Sequence, residues 1–277
     1  MGNSTTPIKW QAEAIWETVS PFLPSFSVEV LPEIDSTNTE LMRRAKAGQV
    51  EPLLLVAEKQ TAGRGRLGRD WHDLATRTPA SLPALTFSLG MPLSPQDWSG
   101  LSLAVGVSVA QSLHPAIGLK WPNDLWLKER KLAGILIETA VFNGQRYAVI
   151  GVGINIGEPA PMSAASPDTA LRTPPAWLQE LSPNIGAPET LQRVVPALVQ
   201  TVLAFESYGF APFQGRFNAL DVLRDRAVTL HDSQASLSDT ARTMGSAHGV
   251  NEKGALLVHT NHGMQVVSSS EVSVRPF

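Results

Sequence analysis

No cysteine occurs among the 277 residues. Disulfides, cysteine-ligated zinc and thiol catalysis are therefore excluded, and the chain is compatible with a reducing compartment, so a cytoplasmic location is expected. An excess of positive charge is also missing: 22 Lys and Arg face 25 Asp and Glu, for a net charge of −3. A nonspecific nucleic-acid binder carries a broad basic surplus, so any positive patch here is local and suits a small anionic partner. The six histidines are dispersed, with no HExxH or similar spacing, so a transition-metal site built from protein ligands is not expected. No apolar run reaches membrane-spanning length, and the first residues lack the regions of a signal peptide. The opening "MGNSTT" formally fits a myristoylation pattern, but no basic cluster follows to supply a second membrane signal.

What is present is an ordinary core-forming composition, 43% hydrophobic and 17% charged. Trp10, Ala14, Ile15 and Val19 recur at helical spacing. "FSVEVLPEI" reads as a strand, followed by a helix in "DSTNTELMRRAKAG". There Asp35, Ser36 and Thr37 are capping types, Leu41, Met42 and Ala45 form a buried stripe, and Gly48 is a stop. "PLLLVAEKQ" and "ALTFSLGM" read as buried strands, and "WSGLSLAVGVSVAQSLHP" as a buried helix. Residues 117–157 read as three or four strands in hairpin-like order. Gly157 to Pro188 reads as a surface loop around a short "AWLQEL" helix, and the helical stretch after it carries a kink expected at Pro196. Beyond Arg226 the chain turns to short strands. The expected fold class is α+β: a mixed sheet with helices on its faces over 1–223, and a small C-terminal β-barrel over 224–277.

Three stretches carry chemistry. "TAGRGRLGRDW", Thr61 to Trp71, interleaves glycines with Arg64, Arg66 and Arg69. Gly63, Gly65 and Gly68 allow close backbone approach to a ligand, and amides there can face phosphate oxygens. The guanidinium forks bind carboxylate or phosphate in bidentate fashion. Disorder ending on anion binding is the expectation for such a loop, and Trp71 offers a face for a flat ring. A solvated basic loop is the alternative. In "KWPNDLWLKERKLAGILIE", Asn123 and Asp124 sit at a strand end, and Lys131 can face developing negative charge on a phosphoryl group. An exposed hairpin lysine is the plain alternative. "GVGIN" ends a strand in Asn155 with glycines beneath it, which by itself is weak.

Taken together, "DSTN", "GRGRLGRDW", "KWPND", "RKLAGIL" and "GVGIN" in this order resemble the bacterial biotin protein ligases, strongly over Pro32 to Gly157. "NEKGALLV" and "EVSVRP" are similar to that family's small SH3-like barrel. The resemblance implies the class II aminoacyl-tRNA synthetase/biotin ligase-like fold. It also implies an activity: biotin is activated with ATP, with Mg²⁺, to biotinyl-5′-AMP and passed to a lysine of a biotin carboxyl carrier protein, usually a domain of acetyl-CoA carboxylase.

By the same resemblance, Ser36, Thr37, Asn38 and Gln60 surround biotin with Gly63, Arg64, Gly65, Arg66, Lys131 and Gly134. Lys131, Arg66 and Arg69 carry the catalytic charge, while Arg69, Trp71, Asn123 and Asn155 meet the nucleotide. Asn123 and Asp124 help place phosphates or metal. Repressor members carry a winged helix-turn-helix ahead of the catalytic domain. The stretch before "EIDSTN" is too short for one, so no operator or other nucleic-acid binding is expected, and no membrane partner. A homodimer is left open. Two departures stand out: Leu67 replaces a basic residue found in some members, and the link after Trp71 is longer than usual. A lipoate or octanoate ligase is the nearest enzyme alternative, and a noncatalytic RNA- or DNA-binding protein the alternative from another class.

Overall fold

The computed structural model describes residues 7–71, 82–142, 144–159, 174–232, 243–268 and 272–276. The opening hexapeptide, most of the long link after Trp71 and much of the proline-rich loop lie outside these residues. In chain order the elements are α1 (Ala12–Val19), β1 (Ser27–Leu31), α2 (Thr37–Lys46), β2 (Leu53–Ala57), β3 (Ala84–Pro92), α3 (Leu101–Leu113), β4 (Gly118–Lys120), β5 (Asp124–Leu127), β6 (Arg130–Phe142) and β7 (Gln145–Asn155). They continue with α4 (Ala187–Tyr208), α5 (Ala211–Leu220), β8 (Ala227–Asp232), β9 (Thr243–Val250), β10 (Leu256–Thr260), β11 (Gly263–Val267) and β12 (Val272–Pro276).

Two compact units divide the chain: Met1–Leu93 with Leu132–Val199, and Ser94–Lys131 with Gln200–Phe277. In the first unit the strands run β1-β2-β3-β7-β6. β1 and β2 are parallel, and the remaining neighbours are antiparallel, so the sheet is mixed. Strands β2, β3 and β7 are near-continuous apolar runs; Leu54, Leu55 and Val56 are fully buried, each stabilising by about 1.5–3 kcal/mol.

Helix α2 packs its Leu41 and Ala45 face, one turn apart, against Leu55, Tyr147 and Val149 of the sheet. Burial pushes the Tyr147 hydroxyl up to about 12, and the Glu51 charge adds to the effect. Arg44 joins α2 to β1, its guanidinium lying between Glu40 and Glu29 at 2.7 and 3.0 Å. That pairing holds the Glu29 carboxyl below its usual range. At the helix start Ser36 is the cap, its hydroxyl accepting from the Thr39 amide.

Some expected details shift. In α1 the buried face is Ile15 and Val19, with Trp10 packed just ahead of the helix. Ala14 is exposed, because one residue of offset turns a side chain by a full hundred degrees. The "AWLQEL" segment closes only one 3₁₀ turn, Leu178–Glu180, following Pro174 and Pro175. Helix α4 runs through Pro196, and the break between α4 and α5 falls at Gly209, whose φ of 66° suits glycine.

In the second unit α3 is buried almost all round, which explains its lack of a polar stripe. It packs against α5 and β4. Trp121 is fully buried, and its indole N–H donates to the Gly254 carbonyl at 3.1 Å. Its bond to Pro122 is cis. The C-terminal strands form an antiparallel sheet in the order β11-β10-β9-β8-β12, burying Val228, Ala247, Val250, Leu256 and Val258. The fold is thus α+β, a mixed sheet with helices plus a small C-terminal antiparallel sheet.

Candidate functional site

Parallel pairing of β1 with β2 brings the loops that follow both strands together. Ile34 donates to the Lys59 carbonyl at 3.1 Å, Thr61 to that of Ile34 at 2.9 Å, and Ala62 to that of Asp35 at 2.8 Å. This lacing sets Ser36, Thr37 and Asn38 beside Gln60. The Gln60 side-chain oxygen accepts from the Thr37 amide at 2.8 Å and its hydroxyl at 3.2 Å.

β3 contributes Ser88, fully buried, whose Oγ lies 2.7 Å from Thr37 Oγ1 and 2.6 Å from Asn38 Oδ1. The Asn38 amide nitrogen donates to Glu138 Oε2 at 2.9 Å and to the Leu136 carbonyl at 3.3 Å. Thr37 and Asn38 are each 3% exposed, so this is a buried polar chain in which every partner matters.

The glycine–arginine segment is a closed turn rather than a shapeless arm. Gly65 donates to the Arg69 carbonyl at 2.7 Å, Arg69 to Arg66 at 3.2 Å, and Trp71 to Gly63 at 2.9 Å. Arg66–Gly68 make a 3₁₀ turn in which Leu67 has φ 57° and is well exposed. The Arg64 guanidinium reaches Glu138, at 2.9 and 3.2 Å to its two oxygens.

Two glycines of β7 make room beneath this cluster. A β-carbon at Gly151 would collide with Asn38 Oδ1, and one at Gly153 would sit 2.5 Å from the Trp71 ring. Gly134 of β6 pairs with Gly153, so the strand floor is low there. Asn155, at the end of β7, donates to the Ala176 carbonyl at 3.0 Å.

The first unit therefore gathers Ser36, Thr37, Asn38, Gln60, Gly63, Arg64, Gly134 and Trp71 through shared contacts. Gly65, Arg66 and Arg69 form the turn itself. Asn123 and Lys131 belong to the second unit, where Lys131 Nζ lies 2.8 Å from Asp124 Oδ1. Lys131 is the second residue of β6, the strand that carries Gly134 and Glu138.

Ser88 and Glu138 had not been expected. Each leaves a faint trace in the sequence: a hydroxyl in the apolar run "ALTFSLGM", and a lone acid in "LAGILIETAVF".

The chain matches the Biotin/lipoate A/B protein ligase family over 30–155 and the Biotin protein ligase C terminal domain over 239–275. Fold and family match thus define the class, a protein ligase of the biotin/lipoate type. Among its relatives is the biotin–[acetyl-CoA-carboxylase] ligase of Paracoccus denitrificans, 30% identical, with 88% of this chain and 98% of that protein covered. Another is the bifunctional ligase/repressor BirA of Escherichia coli, 32% identical, with 90% and 74% covered. A solved biotin protein ligase from Aquifex aeolicus, in complex with biotin and ATP, superposes with a TM-score of 0.69 at 27% identity, covering 90% of this chain and 99% of that one. The chain belongs to the biotin protein ligase family. Among the described residues no helix is long and apolar enough to cross a membrane.

Proposed function

We propose that the protein condenses biotin with ATP to biotinyl-5′-AMP and pyrophosphate, then transfers biotin to a lysine of a biotin carboxyl carrier protein or domain of acetyl-CoA carboxylase. In the first step a carboxylate oxygen bonds to the α-phosphorus, and the bond to pyrophosphate breaks. In the second the acceptor amine attacks the anhydride carbonyl, AMP leaves and the amine loses a proton. The observation that carries this reading is the buried chain Gln60–Thr37–Ser88–Asn38 set against the glycine–arginine turn. It offers fixed donors and acceptors to a urea-like head on an otherwise apolar floor, with guanidinium groups adjacent.

In this reading Ser36, Thr37, Asn38, Gln60, Gly63, Arg64, Gly65, Arg66, Lys131 and Gly134 bind biotin. Arg69, Trp71, Asn123 and Asn155 hold the nucleotide. Lys131, Arg66 and Arg69 offset the repulsion between two anions as they join. Among the described residues no group of three or more His, Cys, Asp or Glu could hold a metal ion. Magnesium would accompany the nucleotide phosphates, with Asn123 and Asp124 helping to place phosphates or metal, and when bound it would supply further charge neutralisation. Neither nucleic-acid binding nor repressor function is part of the proposal.

The test is incubation with biotin, Mg·ATP and a carrier domain, read as a mass shift, with lipoate in a parallel arm. A shift with biotin alone is expected; a shift with lipoate alone would reverse the choice of substrate. Lys131→Ala should lower pyrophosphate release by at least about a hundredfold, as loss of one electrostatic group to the transition state commonly does. Full biotinylation by that variant would remove Lys131 from the mechanism.

A further inference from the structure

We propose that Glu138 is a positioning residue for biotin binding, its carboxylate setting both the Arg64 guanidinium and the Asn38 amide. The inference rests on the function proposed above. Glu138 stands on β6, opposite Val149 of β7, and three donors converge on it. Arg64 meets both oxygens with two nitrogens, at 3.2 and 2.9 Å, and Asn38 Nδ2 meets Oε2 at 2.9 Å.

The two-pronged contact fixes the plane of the guanidinium as well as its distance. Arg64 keeps about half of its side chain in water, 48% exposed, and a long arginine so placed samples many rotamers unless a partner restrains it. An exposed ion pair would matter little by itself. What distinguishes Glu138 is its link to the buried chain. Because its carboxylate and the Leu136 carbonyl take the Asn38 N–H groups, Asn38 Oδ1 is left facing Ser88. One acid thus sets the direction of an amide in the binding cluster and the aim of the first arginine of the turn. Glu138 acts through Arg64 and Asn38, not by touching substrate.

Glu138→Gln separates the two jobs, since its side-chain oxygen still accepts from Asn38 while the charge facing Arg64 is gone. Isothermal titration with biotin alone should show about tenfold weaker binding, the loss of one charge-assisted contact, while KM for ATP stays within about twofold. In an Arg64→Met background the Glu138 substitution should have no further effect on biotin affinity. Trypsin should also cut the 64–69 turn faster in Glu138→Gln than in the parent.

Parent-like biotin affinity in Glu138→Gln would overturn the proposal. So would an equal loss in both backgrounds, because Glu138 would then not act through Arg64. A parent protein that bound no biotin would overturn the function itself, and is distinguishable from a variant that binds as well as its parent.

Discussion

Gly151→Ala tests the close packing under Asn38. The added β-carbon would overlap Asn38 Oδ1 and lie 3.0 Å from its Cγ and 3.3 Å from its Nδ2, so the amide must swing away. Moving it breaks the contacts to Ser88 at 2.6 Å, Glu138 at 2.9 Å and Leu136 at 3.3 Å. Ordinary hydrogen bonds contribute about 1 kcal/mol each and one to an ionised group about 1.5–3, so roughly 3–5 kcal/mol is at stake. Replacing a strand glycine returns about 0.5–1 kcal/mol through lower chain entropy. A net loss of about 2–4 kcal/mol lowers the melting temperature by roughly 5–15 °C. Thermal unfolding checks the stability, and titration calorimetry checks the accompanying loss of biotin affinity. In an Asn38→Ala background, where the clash is gone, Gly151→Ala should cost little further. A melting temperature within about 1 °C of the parent, with unchanged biotin affinity, would refute the idea that Asn38 is pinned against β7.

Two further substitutions probe the second unit. Gly215 lies inside α5 with open space where a β-carbon would stand, so Gly215→Ala should stabilise by about 0.5–1 kcal/mol in urea unfolding. Asp221 is half-buried, its enclosed Oδ2 has no partner, and its carboxyl is pushed up to about 6 by burial, opposed by the Leu223 amide and the Arg224 charge. A raised carboxyl favours the folded state while protonated. Its contribution is full below the ordinary value of 3.8 and is lost as pH rises through about 6. Asp221→Asn should therefore gain on the parent by about 3 kcal/mol between roughly pH 4 and 7, read by urea unfolding across that range. A constant difference would show that this carboxyl is not perturbed.

Local structure was legible wherever neighbouring residues decide it. Ser36 as a cap, the Leu41 and Ala45 stripe and the stop near Gly48 mark α2 from sequence alone. The order of the sheet was not legible, because β3 pairs on one side with β2 and on the other with β7, far along the chain. For the same reason Ser88 and Glu138 were missed: each is a polar residue in a mostly apolar stretch of strand, and its importance lies in partners some fifty to a hundred residues away. The end of α4 was not read from the sequence: the helix passes through Pro196 and stops at Gly209, seven residues after Val202. Disorder was read into the glycine–arginine turn because the repulsion among its charges is visible in sequence, whereas the backbone bonds closing it and the Glu138 partner of Arg64 are not.

The parallel pairing of β1 with β2 has an engineering consequence. Since both strands point the same way, everything after their ends is drawn to one rim, while the return from α2 into β2, residues 48–52, runs along the opposite rim. A reporter peptide spliced into that return stays a full strand length from the Thr37–Gln60 contact. The molecule can thus be tagged internally at the rim away from that contact.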